Sequence, residues 1–402
     1  MNILFLTITR FTTIADRGIY TDLMRFFAEQ GHQMYIVAPS ERRYKKPTNI
    51  RHERGVSILN VAIPNIQKTN LLEKGLSTLL LERLFLKAIK KHFSHIRFDL
   101  VIYSTPPITF TKIIREIKQR DNAKAYLLLK DIFPQNAVDL QMLKQGGLIH
   151  RFFYQKELAL YRVSDYIGCM SPANAAFLLT HHPWLDPSRV EVNPNSTALL
   201  PSTLDQIPKN TIRECHQLPT DKIIFVYGGN LGKPQGISFL LQTIENCRDI
   251  EKAFFLVIGS GTEYPSILRW FQANQPKNAR LIEVLPKAEY DIVLAACDIG
   301  LIFLDARFTI PNYPSRLLSY LENSMPVITA TDPNTDIGTI AEENGYGIKC
   351  ISGDIETMKQ HIQYCCENPE KVSEMGQKGY DFLKNNYTVQ HSYDIIMKHF
   401  NG

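Results

Sequence analysis

No stretch of this chain reaches the ~18 consecutive uncharged apolar residues that a helix needs to span a bilayer, which excludes a helical integral membrane protein. The opening run MNILFLTITRF has no basic stretch ahead of it and no small-residue cleavage site, so no secretory leader is read there and a cytoplasmic protein is expected. Cysteine is scarce and poorly spaced for chemistry. There are seven, none before Cys169, and only Cys365 and Cys366 stand close together. A disulfide framework and a zinc or redox motif are both excluded by that pattern, and reduced thiols with no metal are expected. Also missing is a G-x-G-x-x-G after the first strand, where the chain reads LTITRFTTIADRG, so a nicotinamide-dependent oxidoreductase lacks its fingerprint. None of the eleven histidines stands out, and His32, after Gly31, serves the turn into the second strand.

What is present is enough apolar residue for large interiors: 44% of 402 residues, a length that points to two globular domains. The net charge of +5 is unevenly spread. Residues 1–200 hold 27 Lys and Arg against 16 Asp and Glu, a balance of +11, whereas the remainder is at −6. Nucleic acid, an anionic membrane and an anionic substrate are each compatible with such a one-sided field.

β-branched and aromatic runs alternate with helical stretches along the whole chain, the pattern of parallel sheets covered by helices. In the first half the strands are expected at 3–9, 33–39, 57–63, 99–105, 125–133, 166–171 and 190–195, with a helix from Gly18 to Gln30. A polar stretch from Ser202 and Thr203 through Pro208 and Asn210 is the best candidate linker. After it strands are expected at 223–229, 253–259, 280–285, 299–304 and 326–331, followed by helix from Ser373 onward that packs back on the first domain. The expected division is 1–198, 199–385 and a returning C-terminal helix at 386–402. The fold class is α/β: two Rossmann-like parallel-sheet domains facing a cleft, with ligands at the carboxyl ends of the strands.

GGNLGKPQG, Gly228 to Gly236, follows a strand and precedes the amphipathic segment ISFLLQTIENCR. Glycines allow a backbone to approach a phosphate, helix-start amides favour negative charge, and Lys233 adds a mobile cation. The alternative is a tight turn whose glycines only satisfy positive φ. Gly259 and Gly261 again sit directly after a strand, offering a second set of bare amides. In NYPSRLLSYLENSMPVITA a helix is expected to open at Pro314 with Ser315 and Arg316 in its first turn. A cation there opposes the helix dipole unless it has an anionic partner, so Arg316 is aimed at phosphate or is a solvated arginine. Asp131, ending the AYLLLKDIF strand, orients or deprotonates an acceptor, or else caps the following turn.

In order and spacing, VYGGNLGKPQG, LVIGSGTEYPSIL, IEVLPKAEYDIVLAACDIGLIFL and YPSRLLSYLENSMPVITATD resemble the nucleotide-sugar domain of the group 1, or family 4, glycosyltransferases of GT-B architecture. RGIYTDLMRFFAEQGHQMYIVAP, STPP and KDIFPQNAVDLQMLK resemble the acceptor domain of the bacterial branch that builds O-antigen and capsule. The resemblance implies a retaining, metal-independent enzyme that moves a hexosyl or N-acetylhexosaminyl group from a nucleotide-diphosphate sugar, UDP in the first instance. The implied acceptor is a polyprenyl-diphosphate-linked saccharide at the inner face of the membrane, and no nucleic acid is involved. It further implies donor contacts from Gly18, Gly229, Asn230, Lys233, Gln235, Gly259, Gly261, Pro286, Pro314, Ser315, Arg316, Ser319 and Glu322, with Asp131, Lys233 and Arg316 carrying the chemistry. The chain departs from the family at several points. Two glutamates eight residues apart fall here on Pro311 and Ser319, and the arginine and lysine of the phosphate loop fall on Asn230 and Gln235. Glu322 takes part of the ribose role or is a surface glutamate.

Residues 71–98 combine a leucine-rich face with Lys74, Arg83, Lys87, Lys90, Lys91 and Arg97. Such a helix lies in a lipid headgroup layer or is a core-facing helix with a basic solvent side; the charge of the first domain favours membrane contact. Two other classes compete: a non-catalytic partner with a GT-B shell, given the missing glutamates, and a nucleotide-sugar epimerase, for which no acid and histidine pair at strand ends speaks.

Overall fold

The structure, a computed structural model, describes residues 1–66, 71–199 and 207–400, the first nine residues of the helix that begins at Leu71 by backbone alone. The chain divides into two compact units, Met1–Ala198 with Val389–Gly402, and Leu199–Thr388. Of the expected linker, Ser202 through Asn210, residues 202–206 lie outside the described residues; from Lys209 the chain is already helical.

The first unit runs β1 (Asn2–Leu6), α1 (Ile19–Glu29), β2 (Gln33–Glu41), β3 (Asn49–Glu53), β4 (Val56–Ile63), α2 (Leu71–His92), β5 (Leu100–Ser104), α3 (Thr111–Asp121), β6 (Lys124–Leu129), α4 (Gln135–Asp139), α5 (Leu148–Val163), β7 (Tyr166–Cys169), α6 (Pro172–His181) and β8 (Val190–Val192). Its eight strands are ordered β3-β4-β2-β1-β5-β6-β7-β8. All pairings are parallel except β3 with β4, a hairpin closed by Arg54 and Gly55, both at positive φ, as a two-residue turn requires. The inner strands are apolar throughout because helices cover both faces of the sheet: Ile3, Leu4, Phe5 and Leu6 of β1 are wholly buried.

The second unit runs α7 (Lys209–Cys215), β9 (Ile223–Asn230), α8 (Ile237–Asn246), β10 (Ala253–Ser260), α9 (Tyr264–Asn274), β11 (Ala279–Ile282), α10 (Lys287–Ala295), β12 (Ile299–Phe303), α11 (Arg316–Glu322), β13 (Val327–Thr331), α12 (Ile337–Glu343), β14 (Gly347–Ile351), α13 (Ile355–Glu367) and α14 (Pro369–Asn386). Its six strands, ordered β11-β10-β9-β12-β13-β14, are all parallel. Phe225, Phe255, Leu301 and Ile328 lie in its core.

The C-terminal helical stretch divides between the units. α14 packs on α11 and stays in the second unit, so the return from Ser373 onward is corrected to α15 (Val389–Met397) alone. That helix packs on α1, where Val389, Ile396 and Met397 are buried and Tyr393 meets the Phe27 ring edge-on at 4.8 Å.

The 71–98 region takes the core-facing reading wherever its side chains are described. Leu81, Phe85, Ile89 and Phe93 are buried, while Arg83, Lys87, Lys90, Lys91 and Arg97 are exposed. From Leu81 on, the apolar face is occupied by the core and is not available to lipid; Lys74 and its neighbours through Leu79 lie outside the described side chains.

Candidate active site

In the second unit the first two glycine motifs come together at adjacent strand ends. Gly259 pairs with Gly229, and Ser260 with Asn230, in the β10–β9 ladder. A Cβ on Gly259 would sit 1.9 Å from the Gly229 carbonyl oxygen, and one on Gly261 2.3 Å from that of Leu231. Gly229 itself has a φ of 116°, open only to glycine without strain. These glycines are needed for close backbone approach, which is more than a plain turn requires. On the other side β12 pairs with β9 only at Phe225 and Val226; beyond that the Tyr320 hydroxyl stands between the strands, accepting from the Gly228 amide and donating to the Leu301 carbonyl at 3.3 Å. Gly229, Asn230 and Gly261 are exposed.

Arg316 reaches this strand end from the first residue of α11, one residue beyond Ser315, which precedes the helix without a side-chain cap. Its guanidinium carbon lies 4.3 Å from the Tyr227 ring centroid, and Nη2 donates to Gln235 Oε1 at 2.5 Å. Among the described residues, the buried Nη1 has no hydrogen-bond partner and no carboxylate pairs with this arginine. An unpaired cation with an open donor in low-dielectric surroundings is an anion site in waiting. Tyr227 also donates to the Asn230 carbonyl at 2.8 Å, and Tyr320, one helical turn beyond Arg316, accepts from the Gly228 amide at 3.1 Å. Tyr290, on the helix that Pro286 precedes, projects over Gly228, where an added Cβ would lie 2.1 Å from its hydroxyl. Burial pushes the Tyr320 phenol up to about 12 and raises those of Tyr227 and Tyr290, so all three stay neutral donors near neutral pH.

Gln235 is reached by an arginine that comes from another helix. Lys233 sits in a one-turn 3-10 helix, exposed and outside any ion pair. Pro314 precedes α11, with its carbonyl accepting from Leu317; Ser319 and Glu322 follow along the same helix, and the Ser319 carbonyl accepts from Asn323.

In the first unit Asp131 lies two residues beyond the end of β6, not within the strand. Its amide and that of Lys130 both donate to Thr105 Oγ1, at 3.1 and 2.9 Å. It does not cap the next helix, since Pro134 stands at that position without a side-chain bond. Burial raises its carboxyl to about 6 and lowers the Lys130 ammonium to about 7. Burial, with the Asp131 charge adding to it, raises the Tyr20 phenol while the neighbouring Ser104 hydroxyl lowers it, so Tyr20, Ser104 and Asp131 form one polar group at the carboxyl edge of the sheet. Gly18 caps α1 in extended backbone (φ 168°), its amide directed at Asp22 Oδ1 3.3 Å away. The tyrosines of both groups, Ser104 and Lys130 escaped the sequence reading, because aromatic residues in apolar runs read as core. The spacing of Arg316 and Tyr320, four apart on a helix, was the one available signal.

All seven cysteines are free thiols. Among the described residues no group of three or more His, Cys, Asp or Glu is arranged to hold a metal ion, and no helix is long and apolar enough to cross a membrane.

Two Rossmann-like parallel-sheet units give the chain the GT-B architecture. The chain is similar over its whole length to sucrose-phosphate synthase from Thermosynechococcus elongatus, with a TM-score of 0.78 at 16% identity and 98% of that chain covered. Anabaena HepE in complex with UDP is similar over all of this chain and 99% of its own, with a TM-score of 0.70 at 12% identity. Residues 208–382 match the family Glycosyl transferases group 1. A probable glycosyltransferase of Pseudomonas aeruginosa, WbjE, is 26% identical over 328 residues, 81% of this chain and 79% of that protein. In its second unit the chain is thus similar to the group 1 glycosyltransferases.

Proposed function

We propose that this protein is a glycosyltransferase that moves a hexosyl or N-acetylhexosaminyl group from a UDP-sugar to a polyprenyl-diphosphate-linked saccharide, with retention of configuration, in the assembly of a bacterial surface polysaccharide. The observation that carries the reading is Arg316: a cation without a carboxylate, its Nη1 open, held by Tyr227 and Gln235 beside the exposed backbone of Gly229 and Asn230. UDP is proposed because HepE, of the same fold, is described in complex with it.

In this reading the donor diphosphate lies across the ends of β9 and β10, with Arg316 and Lys233 as its cations. As the bond from the anomeric carbon to the β-phosphate oxygen breaks, charge gathers on that oxygen, and preorganised donors there stabilise the transition state. The acceptor oxygen bonds to the anomeric carbon on the same face, and its proton passes to the departing phosphate, so no protein nucleophile is needed. Asp131 accepts a hydrogen bond from the acceptor hydroxyl and orients it.

The glutamate positions occupied by Pro311 and Ser319 favour a second reading, a GT-B protein that binds nucleotide without transfer. Purified protein incubated with UDP- and GDP-sugars and a polyprenyl-diphosphate saccharide decides between them. Transfer, with the product linkage assigned by NMR as the donor's anomer, supports the first. UDP bound tightly with no product from any donor would establish the second.

A further inference from the structure

Among the described residues, exposed large apolar side chains are scattered except at one place. Met142, Leu148, Ile149 and Phe152, exposed by 54%, 87%, 61% and 42%, fall within a single turn and the helix start that follows it. The segment is well built. The Met142 and Leu143 amides both donate to the Ala137 carbonyl, Gly147 closes on Lys144, and Gln141 and Gly146 take the left-handed conformation. On α5, Leu148, Ile149 and Phe152 share one side, spaced i, i+1 and i+4. A fixed backbone that holds four large apolar side chains in water is a contact surface.

The charge around it identifies the partner. α5 packs on α3 and α3 on α2, so the three helices form one layer. Outward from that layer project Arg83, Lys87 and Lys91 of α2, Arg115 of α3, and Arg151 and Arg162 of α5, all exposed and none paired with a carboxylate. An apolar tip bordered by unpaired cations matches an anionic lipid surface, where the acyl boundary takes the tip and the headgroups take the charges. The tip also leads to the acceptor residues. Phe152 meets Phe153 edge-on at 5.3 Å, and Phe153 meets Phe133, two residues beyond Asp131, at 5.1 Å.

We infer that residues 142–152 dock into an anionic headgroup layer, steered by the basic α2–α3–α5 layer, and so hold the Asp131 loop where a diphosphate-linked saccharide leaves the bilayer. The docking surface takes the place of the apolar face of α2 from Leu81 on, which the core occupies; its purpose, though not its existence, rests on the lipid-linked acceptor proposed above.

The full-length protein is sedimented with vesicles of phosphatidylcholine alone and of phosphatidylcholine mixed with phosphatidylglycerol. Wild type is expected to pellet with the mixed vesicles and far less with the neutral ones. The double variant Leu148→Ser/Ile149→Ser is expected to lose roughly tenfold or more of that binding, with thermal melting and UDP affinity unchanged. Lys87→Glu/Arg115→Glu is expected to lose the preference for the anionic vesicles. Wild-type vesicle binding by the serine variant overturns the inference. So does a dimer in sedimentation equilibrium that the serine variant abolishes, because the patch then joins two copies of the chain. Transfer to a water-soluble, short-chain diphosphate acceptor separates the two proposals. Transfer without vesicle binding ends the docking surface alone, and vesicle binding without transfer from any donor ends the proposed activity alone.

Discussion

Arg316 lies against the Tyr227 ring with its guanidinium carbon 4.3 Å from the centroid, so strand β9 supplies both the exposed glycine end and the aromatic platform that aims the cation. Arg316→Ala is expected to weaken UDP binding by roughly 10- to 100-fold, the worth of one or two charge-assisted hydrogen bonds, while uridine affinity stays within a factor of two or so. Arg316→Lys should recover little, because an ammonium cannot both reach Gln235 and leave a second planar donor open. Calorimetric titration with UDP and with uridine measures the difference. Equal losses for both ligands would remove Arg316 from the phosphate site.

Two glycines of the candidate site differ sharply in what they tolerate. A methyl on Gly259 meets the Gly229 carbonyl oxygen at 1.9 Å, which is backbone and cannot swing away. Gly259→Ala therefore forces the two strand ends apart, at a cost of roughly 1–3 kcal/mol, and should abolish nucleotide binding. Gly18→Ala meets only the Thr21 hydroxyl at 3.2 Å, in extended backbone that any residue adopts, and should melt within ~0.5 kcal/mol of wild type. Melting curves with and without UDP give both values.

The inner strands were legible because each is a continuous apolar run buried on both faces. β3 and β14 were not. NIRHE and GIKCI are edge strands, and each leaves residues exposed, Asn49 and His52 in one and Lys349 and Ile351 in the other, so neither reads as a continuous apolar run. At the candidate site, glycines and cations announce themselves by residue type. Tyr227, Tyr290 and Tyr320 do not, since a tyrosine in an apolar run looks like packing until the geometry shows the Tyr227 and Tyr320 hydroxyls on backbone groups of the strand end and Tyr290 standing over Gly228. The leucine-rich pattern of 71–98 carried the opposite ambiguity: a stripe that suits lipid suits a core equally well, and from Leu81 on the core has it.

The C-terminal helix α15 closes the first unit over Phe27 and Ile36. It buries Val389, Ile396 and Met397, each worth roughly 1.5–3 kcal/mol, a sum close to the whole stability of an ordinary domain. A chain ending at Thr388 should accumulate in the insoluble fraction. Ile396→Ala should remain soluble and lose roughly 2–5 kcal/mol in denaturant titration, which distinguishes a structural lid from a dispensable tail.

Asp131 sets stability against activity. Its carboxyl, raised from 3.8 to about 6 by burial, binds its proton more tightly in the folded protein than in the unfolded chain. The folded state therefore holds more protons between those two values, and stability falls as pH rises through that window; above about 6 the ionised carboxylate is a standing cost. Removing the charge with Asp131→Asn should raise stability at pH 7.5 by up to about 2 kcal/mol, an upper bound for a half-buried group, and leave it unchanged near pH 3.5. If the ionised carboxylate orients the acceptor hydroxyl, wild-type transfer falls as pH drops through about 6. The Asn variant then loses both that limb and most of the rate, with UDP affinity unaltered. A variant more stable at pH 7.5 and as active as wild type would leave Asp131 a buried charge without a task in acceptor binding.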